Sequence, residues 1–327
     1  MADVEGTLRS WLGGPIGHVH MRPNLAESEQ HTDENIRFTV DGFLAYLQRF
    51  SGVTASAVTD TDHPYSDSEG KLITSRIRPA TLESIRQEVS AIQLARAREL
   101  HAHPERTGHV YTGVEADIVG PDGRLIITDD VLGQLDLVIC SLHYTLYSNA
   151  TALKDRAERL SMAEIIGAYT QAVSNPHIDV LGHPTREIGR SNKNIENLPL
   201  WLPLLDLMKE KGVAFELNLA HMNSLGQDAE LERAVTAEAA KRGLPLFIGF
   251  DLHDLKELGL PSSTGTIEPA TMRTEFEANR DQLHLQLMLK LMRLIRSLEQ
   301  IGIAPENVVN SSDERFRAWL AARPTSA

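Results

Sequence analysis

The chain has a single cysteine, Cys140, in 327 residues. Without a second thiol no disulfide can form within the chain, and a buried core thiol in a reducing cytosol is the simplest reading. No window approaches the uninterrupted apolar length of a membrane span. The first residues, MADVEGTLRSWLGG, lack a basic region followed by a long apolar stretch, so neither a membrane helix nor a signal peptide is expected, and the expected location is the cytoplasm. There is no basic run, and the net charge is -13. Such a surface repels a polyphosphate backbone, which disfavours extended nucleic acid as a partner and leaves open a single nucleotide or nucleotide end as substrate. No GxGxxG follows the first apolar run and no GxxxxGK[ST] occurs anywhere, so the common nucleotide-cradling loops are missing. No repeat or low-complexity segment stands out.

What is present is the balance of a globular protein, 42% hydrophobic and 24% charged, on a chain long enough to bury a sizeable core without staples. Short apolar, β-branched runs recur at 16–20, 53–59, 110–117, 137–142, 178–182, 213–218 and 246–250. Between them lie stretches of helical periodicity at 43–50, 82–100, 161–173, 200–211 and 229–242. Ser161 and Glu164 have the spacing of a capping box. Gly212 and Gly243 sit where a left-handed residue closes a helix. An amphipathic helix is expected at about 282–298, with Leu283, Leu287, Leu291, Leu294 and Leu298 on one stripe, and a shorter one at 314–321. Seven strands alternating with helices predict an α/β fold with a parallel sheet, open or closed into a barrel. Long connections at 21–37, 64–80 and 184–197 each follow a strand, on the face where such enzymes carry their chemistry. The reading is of one domain over 1–327, with C-terminal helices at about 279–322.

The histidines and acids fall at those strand ends. His18 and His20 form an HxH in the first strand, and Asp62 and His63 follow the second. Glu115 lies in the third, His143 ends the fourth, His183 ends the fifth in GlyHisPro, and Asp251 and His253 end the seventh. In a barrel these ends converge on one mouth. Alternate residues of a strand share a face, so an HxH or an AspxHis can serve one ion. Imidazole with carboxylate suits zinc, manganese or iron, and a carboxylate such as Glu115 can bridge two ions. Asp117 orients a ligand or makes a structural hydrogen bond, and Glu216 and Asn218 read as core or orienting groups rather than ligands. His221 is a candidate for the mouth lining, whereas His101, His103, His109, His177 and His284 read as structural or exposed.

These motifs resemble the PHP (polymerase and histidinol phosphatase) family, whose signatures are an HxH, a ThrAspHis, a GluAla strand, a strand-ending histidine, a GlyHisPro and an AspxHis. The resemblance runs from about Gly17 to Gly259, and the C-terminal IleGlyIleAlaProGluAsnValValAsn and PheArgAlaTrpLeu are similar to the close of stand-alone family phosphatases. It implies a distorted (β/α)7 TIM-like barrel with the metal site at the C-terminal ends of the strands. It further implies two or three divalent ions (Zn, Mn or Fe). One would be held by His18, His20, Glu115 and Asp251, a second by Glu115, His143 and His183, and a third by His31, His63 and His253. His31 stands further from the HxH than the family's third histidine, and Phe250 and Leu252 replace the usual small residues around AspxHis.

The expected activity is hydrolysis of a small phosphate ester, as in a histidinol-phosphatase-like phosphomonoesterase. Glu115, Asp251 and His253 are the expected catalytic groups, and Arg22, Arg186 and Arg190 are candidates to fork onto phosphate oxygens. An amidohydrolase-type amide or ester hydrolase is the first alternative, lowered because the strand ending at His143 offers no lysine to carboxylate. A non-catalytic metal-binding module is the second. Homo-oligomerisation is left open.

Overall fold

Apolar runs that alternate with helices can satisfy their backbones and bury both faces as a parallel sheet wrapped by those helices. A computed structural model describes residues 2–22, 38–39, 57–60, 64–66, 72–74, 110–118, 121–125, 127–142, 161–186, 188, 192–219, 230–252 and 269–323. Seven strands make the ring: β1 (Ile16–Arg22), β2 (Ala57–Asp60), β3 (Val110–Asp117), β4 (Leu137–Ser141), β5 (Val180–Leu181), β6 (Ala214–Asn218) and β7 (Leu246–Leu252). Each pairs in parallel with the next, and β7 pairs back onto β1. The sheet is therefore closed, the distorted (β/α)7 barrel that the motifs implied. The described helices are α1 (Ala2–Trp11), α2 (Asp129–Leu132), α3 (Met162–Ala172), α4 (Leu198–Lys211), α5 (Glu230–Lys241), α6 (Pro269–Gln300) and α7 (Asp313–Ala321).

Local sequence explains the helix ends. Ser161 caps α3 in a full capping box with Glu164, and Gly212 closes α4 at φ 72, a conformation that costs a side chain and spares glycine. Four features depart from the sequence reading. Helix α1 was not expected; its stripe of Leu8, Trp11 and Leu12 is short and buried only by tertiary packing. Helix α6 begins at Pro269, well before 282. Strand β1 continues to Arg22, pairing Met21 and Arg22 with a two-residue strand, Phe38–Thr39, so Arg22 is a strand residue rather than a loop residue. The connection at 64–80 contains an antiparallel hairpin, Pro64–Ser66 with Leu72–Thr74. The helix candidates at 43–50 and 82–100 lie outside the described residues.

Strand alternation sorts the core into two clusters. On the outer faces Val114, Val138, Cys140, Leu181, Phe215, Leu217 and Ile248 pack against α3 to α6. On the inner faces Tyr111, Leu137, Ile139, Val180, Ala214 and Phe247 pack with Phe316 and Trp319 of α7. Trp319 Nε1 donates to Gly212 O at 3.0 Å, just ahead of β6. Helix α7 thus plugs the amino-terminal mouth of the barrel with apolar side chains. The same inward alternation, continued to the other end, changes character: Glu115, Asp117, Ser141, Glu216, Asn218 and Asp251 are all buried there. Among the described residues no helix is long and apolar enough to cross a membrane.

Candidate metal centre

The buried polar end of the barrel is organised around His18, which is fully buried. Its Nε2 lies 3.2 Å from Glu115 Oε2 and 3.7 Å from Asp251 Oδ1. Its Nδ1 meets Glu216 Oε1. Across the pocket His183 Nε2 lies 2.8 Å from Glu115 Oε1, and the two imidazoles stack with centroids 5.7 Å apart. Ligand atoms of His18, Glu115 and His183 all fall within 4.8 Å of one another. Residues from β1, β3, the end of β5 and β7 are therefore brought together, and each carboxylate oxygen of Glu115 faces a different imidazole.

The backbone is bent to achieve this. Among the described residues, the non-glycine positions with positive φ are His18 (54), His183 (22) and Asp251 (49). Such conformations cost on the order of 1–3 kcal/mol each and gather at functional sites. Between the pairs Gly17↔Gly249 and Val19↔Leu252, β1 advances two residues and β7 three, so the seam carries a bulge at His18 and Asp251. Bulges re-aim side chains beside active sites. Strict alternation, the basis for expecting both histidines of the HxH to face one ion, is thus interrupted at His18.

The donor set fits a cation. Glu115, Glu216 and Asp251 are at most 3% exposed, and buried carboxylates require compensation by positive charge. Burial alone would push the His18 imidazole down, but Glu216, Glu115 and Asp251 outweigh it and raise that imidazole well above its ordinary range. A pocket that favours positive charge at that ring favours a metal ion there as well. Arg186, whose side chain is 35% exposed, donates to Asp251 Oδ2, and Asn218 Nδ2 lies 3.3 Å from the same oxygen. Imidazole nitrogens with carboxylate oxygens are the ligands of zinc, manganese and iron.

Of the residues expected from sequence, His18, Glu115, His183, Asp251 and Arg186 are brought to this pocket. His20 is in β1 and pairs with Asp60, but its side chain, like that of Arg22, lies outside the described set. His31, His63, His143, His221, His253 and Arg190 lie outside the described residues altogether. Asp117 is fully buried on the strand of Glu115. Glu216, read from sequence as a core or orienting group, meets His18 Nδ1 and the backbone N–H of His183. The available signal was its position at alternate spacing with Asn218 on a strand next to the AspxHis strand. Cys140 is buried in the outer core, and burial raises its thiol, as expected for a structural cysteine.

No family model matches the chain. Among curated proteins it is 31% identical over 150 residues to the DNA polymerase/3'-5' exonuclease PolX of Bacillus subtilis, covering 46% of this chain and 23% of that one. It is 26% identical over 212 residues to a probable phosphatase of Caldanaerobacter subterraneus, covering 64% and 65% of the two chains. Each match therefore spans less than two thirds of the relative. Among solved structures, histidinol phosphate phosphatase from Lactococcus lactis, complexed with zinc, L-histidinol and phosphate, aligns over 82% of this chain and 94% of that one. Its identity is 16% and its TM-score 0.44, a likeness too remote to speak to function. Over part of its length the chain is thus similar to PolX and to probable phosphatases, in line with the resemblance carried by the HxH, GlyHisPro and AspxHis motifs.

Proposed function

We propose that the protein is a metal-dependent phosphoesterase that hydrolyses a small phosphate monoester at the carboxyl end of its barrel. The observation that carries this reading is the convergence of His18, Glu115 and His183, from three separated stretches of chain, with ligand atoms within 4.8 Å of one another, and with Asp251 Oδ1 3.7 Å from His18 Nε2. The names of the relatives, several of them probable phosphatases, support the reaction class. His18, His20, Glu115 and Asp251 would hold one ion, and Glu115, His143 and His183 a second. His31, His63 and His253 would hold a third.

Bound divalent ions would supply acidified water near neutral pH and charge neutralisation for phosphate. The chain's own groups supply the rest. Glu115 presents one oxygen toward His18 and the other toward His183, the disposition of a bridging carboxylate. Asp251, with His253 as partner, would move the proton between the attacking water and the leaving oxygen. Arg186 holds Asp251 Oδ2 and is exposed enough to turn a guanidinium edge onto a phosphate oxygen. Arg22 and Arg190 are further candidates for that grip. The buried floor of Ser141, Asn218 and the apolar inner core keeps bulk water away from the carboxylates.

Metal analysis paired with a phosphoester panel tests the reading. Full-length protein loaded with zinc or manganese should release phosphate from an aryl phosphate, and Glu115→Ala should lose metal and activity while keeping its fold. A fully loaded wild type without turnover on the panel would sink it. The match to only 23% of a polymerase favours, as a second reading, a non-catalytic metal-binding module. That reading predicts loaded protein, no turnover, and a partner.

A further inference from the structure

Glu216 is 2% exposed on β6, and its two oxygens are committed to two different residues. Oε1 accepts from Nδ1 of His18. Oε2 accepts the backbone N–H of His183 at 2.5 Å and lies 3.4 Å from Asn218 Nδ2. Room for the carboxylate comes from the neighbouring strand, where a Cβ on Gly249 would fall on Glu216 Oε1. Both main partners, His18 and His183, are residues whose backbones sit at positive φ.

An ionised carboxylate only accepts hydrogen bonds, so the nitrogen of His18 that faces it must carry the proton. That makes Nε2, the atom turned toward Glu115 and Asp251, the unprotonated nitrogen that can ligate an ion. A glutamine of the same shape would offer one acceptor and one donor, and could not accept from both the His18 ring and the His183 backbone. The two N–H groups therefore require a carboxylate. Burying one without such a task would cost several kcal/mol by desolvation.

We propose that Glu216 is the positioning residue of the metal centre. It fixes His18 as the Nδ1–H tautomer and pins the strained backbone that aims the His183 ring at Glu115. Orienting carboxylates behind metal-ligating histidines typically set about 10- to 100-fold in metal affinity. The inference rests on the proposed metal-dependent reading, and Glu216 acts through the two histidines rather than on the reacting atoms.

Zinc alone is the probe. Chelator competition on the full chain should show zinc binding weakened about 10- to 100-fold in Glu216→Gln. Its cobalt-substituted form should show an altered visible spectrum. The metal-free variant should melt within a few degrees of metal-free wild type, so that what is lost is the rise in melting temperature on adding zinc. Wild-type zinc affinity with an unchanged cobalt spectrum in Glu216→Gln would overturn the proposal. A wild type that binds no zinc would instead overturn the metal-dependent reading beneath it. Should Glu216→Gln not fold, histidine-selective 15N spectra of zinc-loaded wild type decide the matter. Protonation at His18 Nδ1 with zinc on Nε2 is expected, and zinc on Nδ1 would refute the assignment.

Discussion

The barrel closes where β7 meets β1, and Asn310 stitches that seam from below. Fully buried, it accepts from Ile248 N–H at 2.9 Å through Oδ1. Through Nδ2 it donates to Ile248 O at 2.9 Å and to Pro15 O at 3.1 Å. One side chain thus joins the roots of the two strands that carry His18 and Asp251. Asn310→Ala removes all three bonds and leaves three buried backbone groups without this partner. Each loss costs about 1–3 kcal/mol; with water able to enter the space vacated, a total of about 3 kcal/mol is expected. In a chain of this size that corresponds to roughly 4–5 °C in melting temperature. Asn310→Asp should be worse, because it sets a charge against two carbonyl oxygens. Equilibrium guanidinium unfolding of metal-free protein, followed by far-ultraviolet circular dichroism, measures the difference. A change below about 1 kcal/mol for Asn310→Ala would refute the claim that this residue holds the seam. Zinc affinity should fall with stability, because His18 and Asp251 sit in the bulge above it.

Other outcomes follow from the same geometry. Arg186→Met should raise KM for a phosphate ester about tenfold or more while leaving bound metal unchanged, as expected for one lost charge-assisted hydrogen bond; metal lost in step with activity would place Arg186 in ion binding instead. Gly249→Ala should displace the Glu216 carboxylate and weaken zinc binding, and a variant with wild-type affinity would show that the carboxylate has room to spare. Burial raises the Cys140 thiol, so a thiol reagent at pH 8 should leave native protein unlabelled and modify it only in denaturant. Labelling of the native fold would mean that the outer core opens. Zinc uptake, measured by chelator competition, should weaken as pH falls below neutrality, because protons compete for the imidazole nitrogens; affinity unchanged down to pH 5 would argue for carboxylate-only ligation.

The sequence by itself determined the number and order of the barrel strands, because each is an apolar run of strand length set between helical periods and capping signals. It also marked His18, Glu115, His183 and Asp251 as strand-end donors, which a parallel barrel carries to one mouth. Glu115 and Asp117, two residues apart on β3, are both buried at this end of the barrel. Only the tertiary structure decided how those donors are aimed. The bulge at His18 and Asp251 comes from the misfit of two strands closing a ring, and no local pattern in either strand records it. Helix α1 and the start of α6 are not legible in the sequence because short or mixed stripes become apolar faces only against a partner. For Glu216 the sequence leaves a core and an orienting role open. Its importance lies in Gly249, a gap on the neighbouring strand, and in two N–H groups from β1 and from the end of β5, which meet it only once the barrel has closed.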